Sequence, residues 1–415
     1  MRKILIYSEC FVYSGSENIV ENILRSSRIT QKYDVSFYYA YNAQYAEAVK
    51  VKYAGLANIF PLKILSSYSS WGYPLRMGAL LPSRRRNYLR MMYFISTCLR
   101  RLGWHNVFNL TNLYRLFRKQ KPDLVFINNG GYPGAHSCRM AALAARLAGI
   151  PRIIFVVNNL AIPSKYPLEK ILDRQIDTGV DRFVTASEAA RETLIRTRRF
   201  GEEKCVSIPN TLSRRYEKEA DLGEGLLRKE FSVERGTIVL GSVGLLIPRK
   251  GYHVLIEAMA RLKRKGENRF RLFIFGEGEE RKNLERKIRD LDLEDLVFLP
   301  GYRDNIMKYV RDFDIFILPS VANEDFPYVI LEAMLLAKPV IGTRVAGIPE
   351  QIMDGYNGYI VEPGDVDGLA GAIGRLGPNL GEYGDRGRER YMNNYRNSIV
   401  TDRYADLFDS LLGKS

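Results

Sequence analysis

Short apolar runs alternate with helical runs along almost the whole chain, and this alternation restricts the fold more than any other feature. Lys3-Ile-Leu-Ile-Tyr7 reads as a buried strand, followed by the small-residue loop Ser14-Gly15-Ser16 and a helical run over residues 17–24. The same unit recurs with a strand at 123–127, an Ala-rich helix at 140–148 and a strand at 152–157, then with a strand at 181–185 and a helix at 188–196. A second series has strands near 238–243, 272–275, 315–318 and 339–342. Strands this uniformly apolar are buried on both faces, which requires parallel sheets covered by helices. The fold class expected is therefore α/β, with two doubly wound Rossmann-like domains.

The polar stretch over residues 210–236 separates the two series and reads as an interdomain linker. The domains expected are 1–215, 216–395 and a terminal segment, 396–415, whose amphipathic helix over 399–412 has no strand after it and crosses back onto the first domain. Two such domains leave a cleft, with ligands at the carboxyl ends of the strands. At 415 residues, with 46% hydrophobic and 26% charged side chains, the chain is neither a peptide-sized module nor a disordered one. It has no apolar run of 18 residues, and its start carries only a four-residue apolar stretch, so a cytoplasmic protein is expected. Cys10, Cys98, Cys138 and Cys205 are too scattered for a zinc site or a disulfide framework.

The densest chemical signal is Asp314-Ile-Phe-Ile-Leu-Pro-Ser320, Glu324-Asp-Phe-Pro-Tyr-Val-Ile-Leu-Glu332, then Lys338-Pro-Val-Ile-Gly-Thr343. It spells strand, loop, helix and strand. Pro327 suits a first helical position, which leaves Glu324 in the loop, Glu332 inside the helix, and the amides of Tyr328 and Val329 at the helix start. Such a terminus attracts phosphate. Carboxylates beside an anion site accept hydrogen bonds from hydroxyls more readily than they touch the anion, a combination that fits a nucleotide-sugar. Taken alone, the two glutamates read equally well as solvated charges near a helix start. Upstream, Gly241-Ser-Val-Gly244-Leu-Leu-Ile-Pro248-Arg249-Lys250-Gly251 ends a strand in a loop where glycine permits close approach and Lys250 offers a cation to a diphosphate. Gly276-Glu-Gly278 is a tight turn after another strand.

In this order, together with Ser14-Gly15-Ser16, Pro319-Ser320 and Gly347-Ile-Pro-Glu350, these segments resemble the family 4 retaining glycosyltransferases of the GT-B fold. The likeness covers nearly the whole chain and is strongest over residues 237–365. It implies two Rossmann-like domains facing a central cleft, with the first taking the acceptor and the second the nucleotide-sugar donor. It also implies roles: Lys250 meets the donor diphosphate, Glu324 the donor sugar hydroxyls, Glu332 the ribose hydroxyls, and the segment Phe326, Pro327, Tyr328 and Val329 flanks the phosphates as the helix opens, with the N–H groups on either side of the proline as donors. Gly15 closes over the diphosphate, Gly276 lies at the base or ribose, and Arg303 lies beside the base. Two positions depart from the family: Leu245 stands where an arginine usually accompanies the lysine, and Asn158 where a histidine is common. Arg249 is the nearest cation to compensate. Asn158 hydrogen-bonds a hydroxyl but is neither acid nor base.

His105, His136 and His253 are scattered, no acidic triplet stands out, and the family works without a metal, so no metal and no cofactor beyond the donor substrate is expected. His136 follows a glycine-rich loop from which it could reach the cleft.

Charge singles out the first half. Residues 1–215 hold 33 Lys and Arg against 14 Asp and Glu, while residues 216–415 hold 29 against 33. No acidic residue lies between Glu47 and Asp123, where 14 basic ones do. In the segment 84–101, Arg86, Arg90, Thr97 and Arg101 share one helical stripe and Met91, Met92, Ile95 and Leu99 the other side. This reads either as a basic helix in an anionic membrane interface or as a surface helix with its apolar face in the core. No nucleic-acid signature accompanies the charge, so nucleic acid is not an expected partner. The expected function is a metal-independent retaining transfer of a sugar from a nucleotide-sugar to a glycan or lipid-linked acceptor, peripheral to the cytoplasmic face of the membrane. The alternatives are a non-catalytic homologue that binds a glycan or partner and, ranked last, a nucleotide-sugar epimerase or hydrolase.

Overall fold

The computed structural model describes residues 1–10, 15, 17–65, 104–220, 225–376 and 379–413. These form two units, one made of 1–185, 193–206 and 405–415, the other of 186–192 and 207–404.

The first unit is a parallel sheet of seven strands: β1 (Arg2–Ser8), β2 (Tyr33–Ala40), β3 (Ile59–Leu62), β4 (Leu124–Asn129), β5 (Arg152–Val157), β6 (Arg182–Thr185) and β7 (Cys205–Ser207), in the order β3-β2-β1-β4-β5-β6-β7. Leu124 to Ile127 have no exposed surface, because helices cover both faces of the central strands. Helix Glu17–Arg25 returns the chain from β1. The last helix, Asn397–Leu412, ends in this unit, where Phe408 meets Tyr33 and Phe126 edge-on at 6.2 and 5.9 Å. Asp409 pairs there with Lys32 at 2.9 Å.

The second unit is a parallel sheet of six: β8 (Ile238–Val243), β9 (Phe270–Phe275), β10 (Val297–Gly301), β11 (Ile315–Leu318), β12 (Val340–Thr343) and β13 (Gly358–Val361), ordered β10-β9-β8-β11-β12-β13. Its core lies between the sheet and helices such as Tyr252–Arg264 and Val366–Leu376.

One expectation fails here. The described residues of 210–236 do not form a linker: 210–220 and 225–236 pack in the second unit, with helices Arg214–Ala220 and Leu227–Glu230. Asn210, Thr211, Leu212 and Ser213 are all buried, and Leu227 has no exposed surface. Polar side chains here serve internal hydrogen bonds: Thr211 Oγ1 and Asn210 Nδ2 donate to the carbonyls of Tyr395 and Phe326 at 2.6 and 2.8 Å. By its contacts the chain passes between the units at Thr185/Ala186, Glu192/Thr193, Val206/Ser207 and Tyr404/Ala405.

Candidate functional site

In the second unit the strand order reverses between β8 and β11, which are hydrogen-bonded neighbours. A crevice beyond the strand ends opens at such a point. The loop after β8 carries Lys250, and the loop after β11 carries Glu324.

The two loops are pressed together by their backbones. Gly251 has φ of +67°, and a Cβ there would lie 2.0 Å from the Pro319 carbonyl oxygen, so only glycine allows the approach. The Val321 N–H donates to the Arg249 carbonyl at 2.8 Å along the same seam. Gly276, with φ of +144°, has its Cβ direction 1.9 Å from the Gly244 carbonyl oxygen, which brings the end of β9 against the β8 loop.

This seam brings two cations and a hydroxyl onto one atom. Lys250 Nζ lies 2.5 Å and Arg249 Nη1 2.7 Å from Glu324 Oε1, and the Ser320 hydroxyl donates to the same oxygen at 3.1 Å. Lys250 and Glu324 are both buried. Two cations share this one carboxylate, so the pair carries one charge more than its shared counter-ion. The sequence separates Lys250 and Glu324 into distinct contacts with a ligand, but the structure joins them. Leu245 is 60% exposed and takes no part.

Pro327 is the residue before the helix Tyr328–Leu335, with φ −65° and ψ 127°, and not its first helical residue as expected. Proline fixes φ but not ψ. The extended ψ accompanies a Pro327 carbonyl that accepts from Ile330 N–H at 3.2 Å and Gln351 Nε2 at 3.1 Å. Phe326 is buried and meets Tyr395 edge-on at 5.4 Å, so the approach to the helix is anchored from behind. The amides of Tyr328 and Val329 head the helix, at the positive end of its dipole. Glu332 is half-buried in this helix, and loss of water around its carboxyl pushes it up from 4.5 to about 7.

Sequence reasoning missed Asp325 and Ser187. Asp325 is buried, its Oδ1 accepts the Ser187 hydroxyl, and its Oδ2 is buried with no hydrogen-bond partner among the described residues. Burial pushes this carboxyl up to about 7; the Ser187 bond opposes the rise and the neighbouring Glu350 and Glu324 add to it. Glu350 accepts the N–H groups of Glu188 and Ala189, each at 2.9 Å, at the start of helix Glu188–Arg198. The position of Asp325 beside Glu324 was the available signal. Ser187, 138 residues away, gave none.

Arg303 follows β10 and is pinned by Glu230, 2.9 Å from its Nη2, and by the Pro300 carbonyl at 2.8 Å, with its guanidinium over the Tyr309 ring.

In the first unit, Asn158 follows β5 and donates through Nδ2 to Asn128 Oδ1 and the Asn129 carbonyl, both at 2.8 Å. The Gly15 carbonyl accepts Asn18 N–H at 3.1 Å, and the serines that flank it lie outside the described residues. The histidines are not all scattered: His105 and His136 meet edge-on at 5.8 Å. Burial, then Arg139 with Nη2 at 2.8 Å, pushes His136 down to about 4, which leaves it neutral at pH 7. The basic segment 84–101 and Cys98 lie outside the described residues. Among the described residues no group of three His, Cys, Asp or Glu could hold a metal ion, and no helix is long and apolar enough to cross a membrane.

Residues 75–213 match the family model described as Glycosyltransferase Family 4, and residues 226–380 the one described as Glycosyl transferases group 1. A lipopolysaccharide core biosynthesis glycosyltransferase of Rhizobium meliloti is 34% identical over 41% of this chain and 50% of its own. The chain therefore spans about half the length of that relative. A capsular polysaccharide biosynthesis glycosyltransferase of Staphylococcus aureus is 26% identical over 74% of this chain and 82% of its own. An Escherichia coli UDP-Gal:alpha-D-GlcNAc-diphosphoundecaprenol alpha-1,3-galactosyltransferase is 24% identical over 76% and 83%. The crystal structure of Anabaena Alr3699/HepE in complex with UDP superposes with a TM-score of 0.75 at 19% identity, over 98% of this chain and 100% of that one. Its fold is the same two parallel-sheet units.

Proposed function

The chain belongs to the group 1, family 4 glycosyltransferases of the GT-B fold, and from that premise we propose that it transfers a hexosyl residue, with retention, from a nucleoside-diphosphate sugar to a hydroxyl of a glycan or lipid-linked acceptor. The observation that carries the reading is the convergence of Lys250 and Arg249 on a single oxygen of Glu324, beside the start of helix Tyr328–Leu335. It is a cation pair with an internal counter-ion, next to a positive helix end.

On this reading the donor diphosphate replaces Glu324 as the partner of Lys250 and Arg249, and the amides of Tyr328 and Val329 take its remaining oxygens. Glu324, released from the cations, accepts a donor sugar hydroxyl, and Glu332 accepts the ribose hydroxyls. Gly276 leaves room for the nucleoside, and Arg303, held by Glu230, borders the base. Catalysis is then electrostatic: cations fixed before the reaction stabilise the charge that develops on the departing diphosphate. Arg249 supplies the second charge that Leu245 does not. The relatives act in polysaccharide and lipid-linked glycan synthesis, and we place this protein in the same class of pathway, at the cytoplasmic face of a membrane held by the basic segment 84–101.

The test is a panel of UDP-, GDP-, ADP- and dTDP-sugars with the full chain, with and without anionic vesicles, followed by thermal stabilisation and nucleotide release. Stabilisation and release by one donor supports the reading. Failure of every donor overturns it and, given the exposed Leu245 at the end of β8, favours a non-catalytic glycan-binding homologue.

A further inference from the structure

The second half of the chain carries more acid than base, 33 Asp and Glu against 29 Lys and Arg over residues 216–415, yet one pocket of the second unit reverses that balance. It has a volume of about 440 Å³, and four cations line it: Arg214, Lys218, Arg388 and Arg396. Glu217 is the one acid in the lining. That carboxylate is committed to the fold, since its Oε1 accepts the Asn397 N–H at 2.7 Å and the Tyr391 hydroxyl at 3.0 Å. Arg214 Nε donates to Asn397 Oδ1 at 3.2 Å, which holds this guanidinium at the start of helix Asn397–Leu412. The side chains of Lys218 and Arg396 are exposed and have no ion-pair partner among the described residues. Cations gathered around one concavity raise its potential and concentrate anions there.

The lining also sets the kind of anion. Arginine forks meet phosphate oxygens in pairs, and four cations against one engaged acid suit a divalent group better than a single carboxylate. Leu335 and Met392 add an apolar wall that a bare ion does not need. The volume falls in the range of small-molecule pockets, roughly 300–1,000 Å³. Leu335 is the last residue of helix Tyr328–Leu335, so the pocket borders the end opposite the amides of Tyr328 and Val329. At 1.5 Å per residue the two ends lie about 10 Å apart. Neither Lys250, Arg249 nor Glu324 lines the pocket.

We infer that Arg214, Lys218, Arg388 and Arg396 form an anion site, distinct from the Lys250 cluster, that takes a small organic phosphate. Its phosphoryl group meets the cations and its organic part lies against Leu335 and Met392. The inference goes beyond the glycosyl-transfer reading and does not depend on it.

The experiment titrates the full chain at low ionic strength with glucose 1-phosphate, ribose 5-phosphate and glycerol 3-phosphate, and with inorganic phosphate and glucose as controls, read by NMR. At least one organic phosphate should bind, more tightly than inorganic phosphate, while glucose should not bind. Lys218→Ala and, independently, Arg396→Ala should each weaken it about tenfold, and the double change Lys218→Glu with Arg396→Glu should abolish it. Both positions are exposed, and circular dichroism checks that the variants fold. Lys250→Ala should leave this binding unchanged, and Arg396→Ala should leave UDP binding unchanged, which separates failure of this site from failure of the donor reading. Competition by phosphatidylglycerol vesicles marks a lipid headgroup as the source and its absence a soluble phosphate; both are organic phosphates and support the site. No binding of any organic phosphate, inorganic phosphate binding as tightly, or affinity unaltered in both alanine variants overturns the inference. So does binding that is lost in Lys250→Ala and kept in Arg396→Ala.

Discussion

Replacing Glu332 by glutamine tests both the burial of the site and its proposed role. The Glu332 carboxyl rises from 4.5 to about 7 in the folded protein because water is withdrawn from it. The native state therefore holds this proton to higher pH than the unfolded chain does. Stability falls as pH rises from about 4.5 to 7, and is flat beyond. Each pH unit in that window corresponds to about 1.4 kcal/mol, so full ionisation costs the native state up to about 3 kcal/mol. Because the side chain keeps some contact with solvent, about 1–2 kcal/mol is the expected size. Glu332→Gln should then be about 1–2 kcal/mol more stable than wild type at pH 8 and nearly equal to it at pH 4.5, in urea unfolding at both pH values. Nucleotide binding supplies the second half of the test. Ribose hydroxyls that donate to Glu332 favour its charged form, so UDP binding to wild type should release a proton below pH 7 and weaken as pH falls. Calorimetry in buffers of different ionisation enthalpy reads that proton directly. A stability difference that is independent of pH, or proton release that is undiminished in Glu332→Gln, would refute the reasoning.

Three further perturbations follow from the geometry. Lys250→Ala should weaken UDP binding by about ten- to a hundredfold, from the loss of a charge-assisted contact of about 1.5–3 kcal/mol. Its stability loss in the same chain should stay under about 2 kcal/mol, since Arg249 and Ser320 still hold Glu324; calorimetry against thermal unfolding separates the two effects. Gly251→Ala forces a side chain into φ of +67° and against the Pro319 carbonyl oxygen, so a destabilisation of about 2–4 kcal/mol is expected in urea, with donor binding lost even where the protein still folds. Glu350→Ala removes the carboxylate that accepts from Glu188 and Ala189, and should cost about 1–2 kcal/mol in the urea midpoint. An unchanged midpoint would mean that solvent caps this helix equally well.

Strands were legible because buried parallel strands leave unbroken apolar runs: Lys3 to Tyr7 and residues 152–157 emerge within a residue or two of β1 and β5. The loops that carry Lys250 and Glu324 were legible for a related reason, since each follows such a run. What the sequence hid depends on contacts across long separations. Residues 210–236 look like a linker because their polar groups face partners such as the Tyr395 carbonyl, which no local pattern reveals. The offset at Pro327 depends on Gln351, and the pairing of Asp325 depends on Ser187. The ion cluster itself hid in plain view: Lys250 and Glu324 were each assigned to a ligand because a sequence shows charges without showing that they neutralise one another. In the first unit, Asn158 was identified only as a departure from a family pattern. Its orientation, fixed by Asn128 and the Asn129 carbonyl, becomes visible only when the ends of β4 and β5 lie side by side.

On the proposed reading, the shared oxygen of Glu324 also makes the donor site selective by valence. Any incoming anion must compete with a carboxylate already held by Lys250, Arg249 and the Ser320 hydroxyl. A chloride ion brings one diffuse charge and no geometry for several donors, and gains nothing by the exchange. A diphosphate brings several oxygens, enough to engage both cations and the helix amides together, and leaves Glu324 available for a hydroxyl. On that reading Glu324 is the internal occupant of the donor site, which monovalent salts should leave in place and a polyvalent donor should displace.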